Sequence, residues 1–195
     1  MSPKPVSLIE AATMTPVAAS LKPTLIAAEI VAAESQWAPH RRAAPDEAEH
    51  SHWDWSLKIG LLNQPGVRCV GIEYAGEMQG MMAVKETGHP ARLDPDRGQP
   101  VVYVEFLESA PWNSRAVVRV PRYLTVGRRL LAAAVELSME LGHDGRVGLH
   151  SLPQSEGFYE YACGMYPWGQ DPGYHGLMYY EFTVNQATEY LRWGT

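Results

Sequence analysis

The chain has almost no cysteine. Cys69 and Cys163 lie far apart and form no C-x-x-C. That excludes a disulfide framework and reads as reduced thiols in a cytoplasmic protein. A long apolar run is also missing. The N-terminal MSPKPVSLIEAATMTPVAASL carries Lys4 but is broken by proline, threonine and serine, so neither a signal peptide nor a membrane span is expected. Positive charge is not in excess: 16 Lys plus Arg against 22 Asp plus Glu leave a net charge of −6, which argues against general nucleic-acid binding. His50 and His52 have no third ligand at zinc-like spacing, so no metal is expected. There is no internal repeat and no low-complexity segment. What remains, 195 residues of which 46% are hydrophobic and 19% charged, fits one globular domain with a sizeable core.

One absence is local. Between Glu108 and Glu136 there is no acid, yet Arg115, Arg119, Arg122, Arg128 and Arg129 all fall there. The same window holds the stretch around which the chain is organised, RYLTVGRRLLAAAVELSMEL from Arg122 to Leu141. It reads as a loop feeding a helix. Leu130, Ala134, Leu137 and Leu141 make one apolar stripe, with Gly142 as the stop. Arg128 and Arg129 stand at the positive end of the helix dipole, where acids would be the stabilising choice. A helix N-terminus with open amide N–H groups, Gly127 in its first turn and added cations is a phosphate-binding arrangement. A tight turn with solvated arginines is the alternative.

Residues 1–23, with prolines at 3, 5, 16 and 23, read as an arm, either an oligomer contact that would make a homodimer or a tail. The folded domain is expected over 24–195. Leu25–Trp37 reads as a helix buried through Leu25, Ile26, Ile30 and Val31, and Ala38–Ser51 as an exposed connection. Trp53–Leu62 reads as a second helix. Two strands, Arg68–Tyr74 and Met78–Lys85, meet at the turn Ala75-Gly76-Glu77. Gly88–Pro100 is turn-rich. Val101–Glu108 is the strongest strand. Alternation sets Glu105 and Glu108 on opposite faces. A mid-strand carboxylate is costly if buried, so Glu105 faces solvent, a partner or a wet active-site cleft, while Glu108 sits at the strand end, where exposure is easy. Then come a strand at Arg146–Leu152, a helix with Phe158, Tyr159 and Tyr161 capped by Ser155, a turn at Trp168–Gly173, a strand at Leu177–Val184 and a helix at Gln186–Trp193 capped by Asn185.

Arg122-Tyr-Leu-Thr125-Val-Gly127 resembles the Q/R-x-x-G-x-G/A signature of the GCN5-related N-acetyltransferases, the GNAT superfamily. RRLLAAAVELSMELG resembles the helix after that signature, and GRVGLHSLPQSEGFYEYACGM the strand, helix and "FY…GM" ending beyond it. Coverage is roughly residues 55–183. The resemblance implies an α/β fold with a mixed, mostly antiparallel twisted sheet flanked by helices, in one domain. It implies acetyl-coenzyme A as cosubstrate, with its pyrophosphate on Arg122, Leu124, Thr125, Val126, Gly127, Arg128 and Arg129, and its pantetheine arm along the backbone at Leu107. By the same resemblance Glu105, or else Glu108, is the general base, and Tyr159 the acid that protonates the leaving thiolate. Two departures stand out. Thr125 replaces the family's first glycine, and its Cβ narrows the space for a phosphate. Tyr159 to Gly164 is one residue longer than the common ending, which brings Tyr161 into question for the acid. The segment SAPWNSRAVVRV is an insertion, with Trp112 and Asn113 either shaping an acceptor pocket or covering the core edge.

The expected activity is therefore N-acyl transfer to a primary amine, on a small molecule or a protein, by direct attack in a ternary complex. A cysteine nucleophile, Cys163 with His150, is the alternative chemistry, and a structural thiol the simpler reading of Cys163. A catalytically weak or inactive module that keeps the fold for binding is the second class of function.

Overall fold

The computed structural model describes residues 2–43 and 52–193. His50, weighed with His52 as a metal ligand, lies outside them. In chain order the elements are β1 (Lys4–Glu10), β2 (Thr15–Lys22), α1 (Ala27–Arg42), α2 (Trp55–Leu62), β3 (Val67–Tyr74), β4 (Glu77–Lys85), β5 (Val102–Ser109), β6 (Tyr123–Leu124), α3 (Val126–Glu140), β7 (Val147–Ser151), β8 (Tyr166–Asp171), β9 (Leu177–Phe182) and α4 (Val184–Trp193). One mixed sheet runs in the order β6-β1-β2-β3-β4-β5-β7-β9-β8. Its parallel pair is β5 with β7, in register from Val102–Val147 to Val104–Leu149. This is the α/β sheet with flanking helices that the resemblance implies. No helix among the described residues is long and apolar enough to cross a membrane.

The chain divides into two compact units, one of residues 1–83 and 106–130, the other of residues 84–105 and 131–195. In the first, the arm is not an arm. Residues 4–22 form the hairpin β1–β2, with Leu8 fully buried. Its prolines mislead because they are harmless where they stand. Outside the hairpin pairing, β6 reaches only Ile9 and Glu10 and β3 reaches only Ser20–Lys22. Pro5 and Pro16 therefore lie at edge positions, where a missing N–H costs no ladder bond. The turn at Ala75 and Gly76 has φ of 54° and 79°, the left-handed pair that a two-residue hairpin loop requires.

Helix α1 runs a turn further than expected, straight through Pro39 to Arg42. An interior proline costs roughly 3 kcal/mol. The turn persists because Arg41, 3% exposed, is bonded to both Glu34 and Glu108. Its buried face is Ile30, Ala33, Glu34, Trp37 and Arg41, while Ile26 and Val31, expected inside, are exposed. Asp54 caps α2, accepting from the Ser56 N–H at 2.8 Å, and Trp55 is completely buried. Gly80 on β4 is required by closeness. A Cβ there would lie 2.5 Å from Val126 Cγ1 and 3.2 Å from the Glu108 carbonyl, so its absence lets β4 approach the first turn of α3.

In the second unit β7, β9 and β8 are antiparallel neighbours. The stretch expected as a turn, Trp168–Gly173, belongs largely to β8, whose register shifts between Pro167 and Gly169. That irregularity hid the strand from its sequence. α4 begins earlier than expected. Thr183 rather than Asn185 caps it, exchanging bonds with Gln186: Thr183 N–H to Gln186 Oε1 at 3.0 Å and Gln186 N–H to Thr183 Oγ1 at 3.4 Å.

Candidate active site

The signature stretch lies in the first unit, and the hairpin β1–β2 holds it. β6 pairs with β1 through Ile9–Leu124 and Glu10–Tyr123. The Ala11 N–H bonds the Arg122 carbonyl at 2.9 Å, and Arg129 donates Nε to the Ser7 carbonyl at 2.8 Å. From the other side, Asn113 Oδ1 accepts the Tyr123 N–H at 2.9 Å, and the Arg122 N–H bonds the Trp112 carbonyl at 3.0 Å. Trp112 and Asn113 both grip Gln79, through Trp112 Nε1 to Oε1 at 2.9 Å and Asn113 Nδ2 to Oε1 at 3.0 Å. The insertion braces the loop, and Trp112, 4% exposed, is core cover.

Thr125 has a φ of 69°, the left-handed region in which a β-branched residue is strained by roughly 1–2 kcal/mol. The backbone thus turns into α3 as a glycine would allow, with the Thr125 hydroxyl bonded to the Leu124 carbonyl at 2.6 Å. The first turn of α3 has no acid. Val126 is buried, Gly127, Arg128 and Arg129 are half-buried, and Arg115, Arg119 and Arg122 are exposed. Arg129 is engaged in holding α3 to β1, and Arg122 stacks over Trp112 at 5.1 Å and reaches Glu77 at 3.5 Å. The first-turn amides and the positive charge of the arginines suit an anionic phosphate group. Thr125→Gly should therefore raise unfolding stability by about 1 kcal/mol, strain relief partly offset by backbone entropy, and tighten acetyl-coenzyme A binding. Denaturant titration and calorimetry on the same preparation check both, and a less stable variant contradicts the strain argument.

Of the two candidate bases, Glu105 has the partner its place demanded, and Glu108 departs from its expected environment. Glu108, expected at an exposed strand end, is 4% exposed. Both its oxygens lie 3.2 Å from Arg41 Nη1, and Trp55 donates Nε1 to Oε2 at 2.6 Å. Glu34 is bound to the same guanidinium and accepts the Trp55 N–H at 3.0 Å. Burial pushes the Glu108 carboxyl up to about 7 from 4.5, against the pull of Arg41 and Trp55. The folded state then keeps a proton that the unfolded chain has lost. Glu108 contributes stability that is full below its unfolded value and is lost as pH rises through about 7. Between about pH 5 and pH 8, wild type should lose on the order of 2–3 kcal/mol relative to Glu108→Gln. Paired denaturant titrations at both pH values read this, and identical slopes for the two proteins would refute it.

Glu105 belongs to the second unit and is half-buried, its carboxylate 2.7 Å from Lys85 Nζ. The same unit holds a cluster that no local spacing announced. Tyr103 and His150 Nδ1 are 2.7 Å apart, and His150 Nε2 lies 3.1 Å from Asp171. Ionised Asp171 only accepts, so Nε2 carries the proton and Nδ1 accepts the Tyr103 hydroxyl. His150 stacks on Tyr174 at 3.8 Å, His89 on Tyr103 at 4.0 Å, and Arg92 binds Asp171 at 2.6 Å. Burial lowers the His150 pKa against the bond to Asp171, and the bond from Arg92 lowers that of Asp171. Both imidazole nitrogens are thereby used, and Cys163 instead meets the Tyr190 hydroxyl at 3.8 Å. The Cys163–His150 nucleophile does not form.

Tyr159 and Tyr161 are separated by exposure: 7% for Tyr159, 81% for Tyr161. The helix expected here is short and irregular, a 3₁₀ turn Pro153–Ser155 leading to a π-helical turn Phe158–Ala162. The Cys163 N–H bonds the Phe158 carbonyl at 3.0 Å. A π turn absorbs one extra residue, which accounts for the lengthened spacing to Gly164. Burial raises the Tyr159 pKa, so the phenol keeps its proton throughout the neutral range. Among the described residues no group of His, Cys, Asp and Glu is placed to hold a metal.

No protein-family model and no curated protein matches the sequence. Known structures do match the fold. The GNAT domain of S. lividans PAT aligns at TM-score 0.56 and 13% identity over 91% of this chain and 96% of its own. The aminoglycoside acetyltransferase AAC(6′)-Ib, solved with coenzyme A and kanamycin, aligns at 0.54 and 19% over 89% and 99%. FeeM, an N-acyl amino acid synthase from uncultured soil microbes, aligns at 0.56 and 12% over 97% and 95%. The chain carries the fold of the GCN5-related N-acetyltransferase superfamily.

Proposed function

We propose that the chain is an acyl-coenzyme A-dependent N-acyltransferase that passes an acetyl group to a primary amine by direct attack in a ternary complex. The observation that carries this reading is Thr125. A strained, glycine-like backbone turn is kept at the point where the fold's signature loop enters an acid-free, arginine-bearing helix. Strain of that kind persists where the surroundings over-determine it, and it gathers at ligand clamps. Neighbours of this fold include an enzyme solved with coenzyme A and an aminoglycoside, which supports the same chemistry here.

The first-turn amides at Val126, Gly127 and Arg128, with Arg122, hold the pyrophosphate, and the Leu124–Val126 backbone and the Leu107 backbone border the rest of the cosubstrate. Arg129 keeps the helix in place. The acyl thioester supplies an activated carbonyl. Glu105 takes the proton that the attacking amine must lose, being the carboxylate that is partly open to an incoming group. Glu108, with both oxygens engaged and almost no exposure, serves the framework instead. Tyr159 donates to the departing sulfur.

Glu105→Gln keeps shape and removes basicity, so kcat should fall about 100-fold or more and the acid limb of the pH–rate profile should disappear. An unchanged profile would hand the role to Glu108 or to water. Native mass spectrometry of the purified chain with acetyl-coenzyme A should show one bound molecule. A chain that binds no coenzyme A species would overturn the reading at its root.

A further inference from the structure

The chain has four lysines, Lys4, Lys22, Lys58 and Lys85. Lys22 is clamped by Glu29 at 2.8 Å and Glu73 at 2.5 Å, and the bond to Glu29 above all raises its pKa. Lys85 lies 2.7 Å from Glu105. Lys58 is placed differently. Among the described residues no carboxylate lies within ion-pair distance of it. Its Nζ sits 4.2 Å from the centroid of Phe106 and 5.1 Å from that of Trp53. The two rings meet edge to face at 5.4 Å. They hold a cation by their π faces while stripping away part of its water.

Two consequences follow for the amine. Desolvation lowers its pKa, and Glu108, Asp54 and Glu34 act against that only at a distance, while Arg41 adds to it. The neutral form, the one with a lone pair to give, is therefore more accessible than on the clamped Lys22. Position is the second. Phe106 precedes Leu107 on β5, and that strand is the border of the proposed thioester path. Lys58 is a half-buried, weakly paired primary amine laid against this border by the rigid turn of α2.

We infer that Lys58 is an internal acyl acceptor, so that the chain acylates itself at this residue when acetyl-coenzyme A is present and no external amine competes. The inference rests on the acyltransferase reading. Neutral Lys58 Nζ attacks the thioester carbonyl. The N–C bond forms and the C–S bond breaks. The nitrogen loses one proton to solvent on the open side of α2, and coenzyme A departs as the thiol, taking up one proton. The amide left behind is neutral and planar, and it stays on the Trp53 and Phe106 faces.

The test is incubation of the full chain with acetyl-coenzyme A alone, followed by intact-mass and peptide-mapping mass spectrometry. The expected result is one acetyl group per chain, on Lys58, appearing at least ten times faster than on any other lysine. Its rate per chain should be independent of protein dilution and suppressed by added butylamine. Lys58→Arg, which keeps the charge over the rings but is a poor nucleophile, should take up no acetyl at that rate. A urea-unfolded chain should lose the preference for Lys58. Acetylation spread evenly over the lysines, a rate proportional to protein concentration, or equal labelling of the unfolded chain would each overturn the inference. Thiol release with butylamine, run in parallel, separates the two levels. Turnover of butylamine, together with a Lys58 that stays unmodified in the incubation without amine, rejects self-acylation alone, and absence of both rejects the acyltransferase reading with it.

Discussion

Gly127→Val is expected to abolish measurable acetyl-coenzyme A binding while leaving the chain folded. Gly127 is the second residue of α3, and the proposal sets the pyrophosphate against the amides of that turn. An added isopropyl group would stand where oxygen atoms approach the N–H donors, and charge-assisted bonds at a helix N-terminus do not stretch to accommodate it. The surrounding frame gives no room for the loop to back away. β6 is paired to β1, Asn113 holds the Tyr123 N–H, and Arg129 is tied to Ser7. Calorimetry should show at least a 100-fold loss of affinity, with circular dichroism unchanged. Arg122→Ala and Arg128→Ala should cost less, and less still at high salt, because they act through charge that salt screens. Unaltered affinity in a folded Gly127→Val chain would remove the phosphate from this turn.

Tyr159→Phe is expected to lower kcat by roughly tenfold to a hundredfold, with little change in acetyl-coenzyme A affinity. The substitution deletes one hydroxyl from a side chain that is already 7% exposed and packed against Phe158 and Tyr180. The fold has little reason to respond. A buried phenol whose pKa is pushed upward keeps its proton at neutral pH and can yield it to a poorly solvated thiolate. Tyr161→Phe is the internal control. At 81% exposure its hydroxyl is in solvent, so that variant should retain full activity. If Tyr161→Phe loses activity and Tyr159→Phe does not, the acid lies two residues on.

Those tyrosines also mark where the sequence was legible. The spacing of Leu130, Ala134 and Leu137, the β-branched run of β5 and the turn between β3 and β4 are local patterns, and each produced the expected element. Which of two tyrosines turns inward was not local, because an unusual π turn sets it. The hairpin β1–β2 was obscured by prolines whose harmlessness depends on how far the neighbouring strands reach. Glu108 was expected in water because its partner Arg41 stands 67 positions away, beyond a proline that should have ended its helix. The Tyr103–His150–Asp171 chain has the same origin. Its members come from β5, β7 and the end of β8, and no spacing rule joins them. Thr125 is the reverse case. Read as a departure from the signature, it narrows the phosphate site. Seen in the backbone, it adopts the conformation that the missing glycine would have supplied.

Acyl transfer to an amine releases free thiol from acetyl-coenzyme A, and that thiol can be followed continuously. The full chain is incubated with acetyl-coenzyme A and a panel of primary amines that includes polyamines, aminoglycosides and peptides with free amino groups. Thiol release well above the amine-free blank is expected for at least one class, with a matching amide product, and that release should be lost in Glu105→Gln and Gly127→Val. No release with any amine from a chain that nevertheless binds acetyl-coenzyme A would contradict acyl transfer to an amine and leave a binding module that has kept the fold without the reaction.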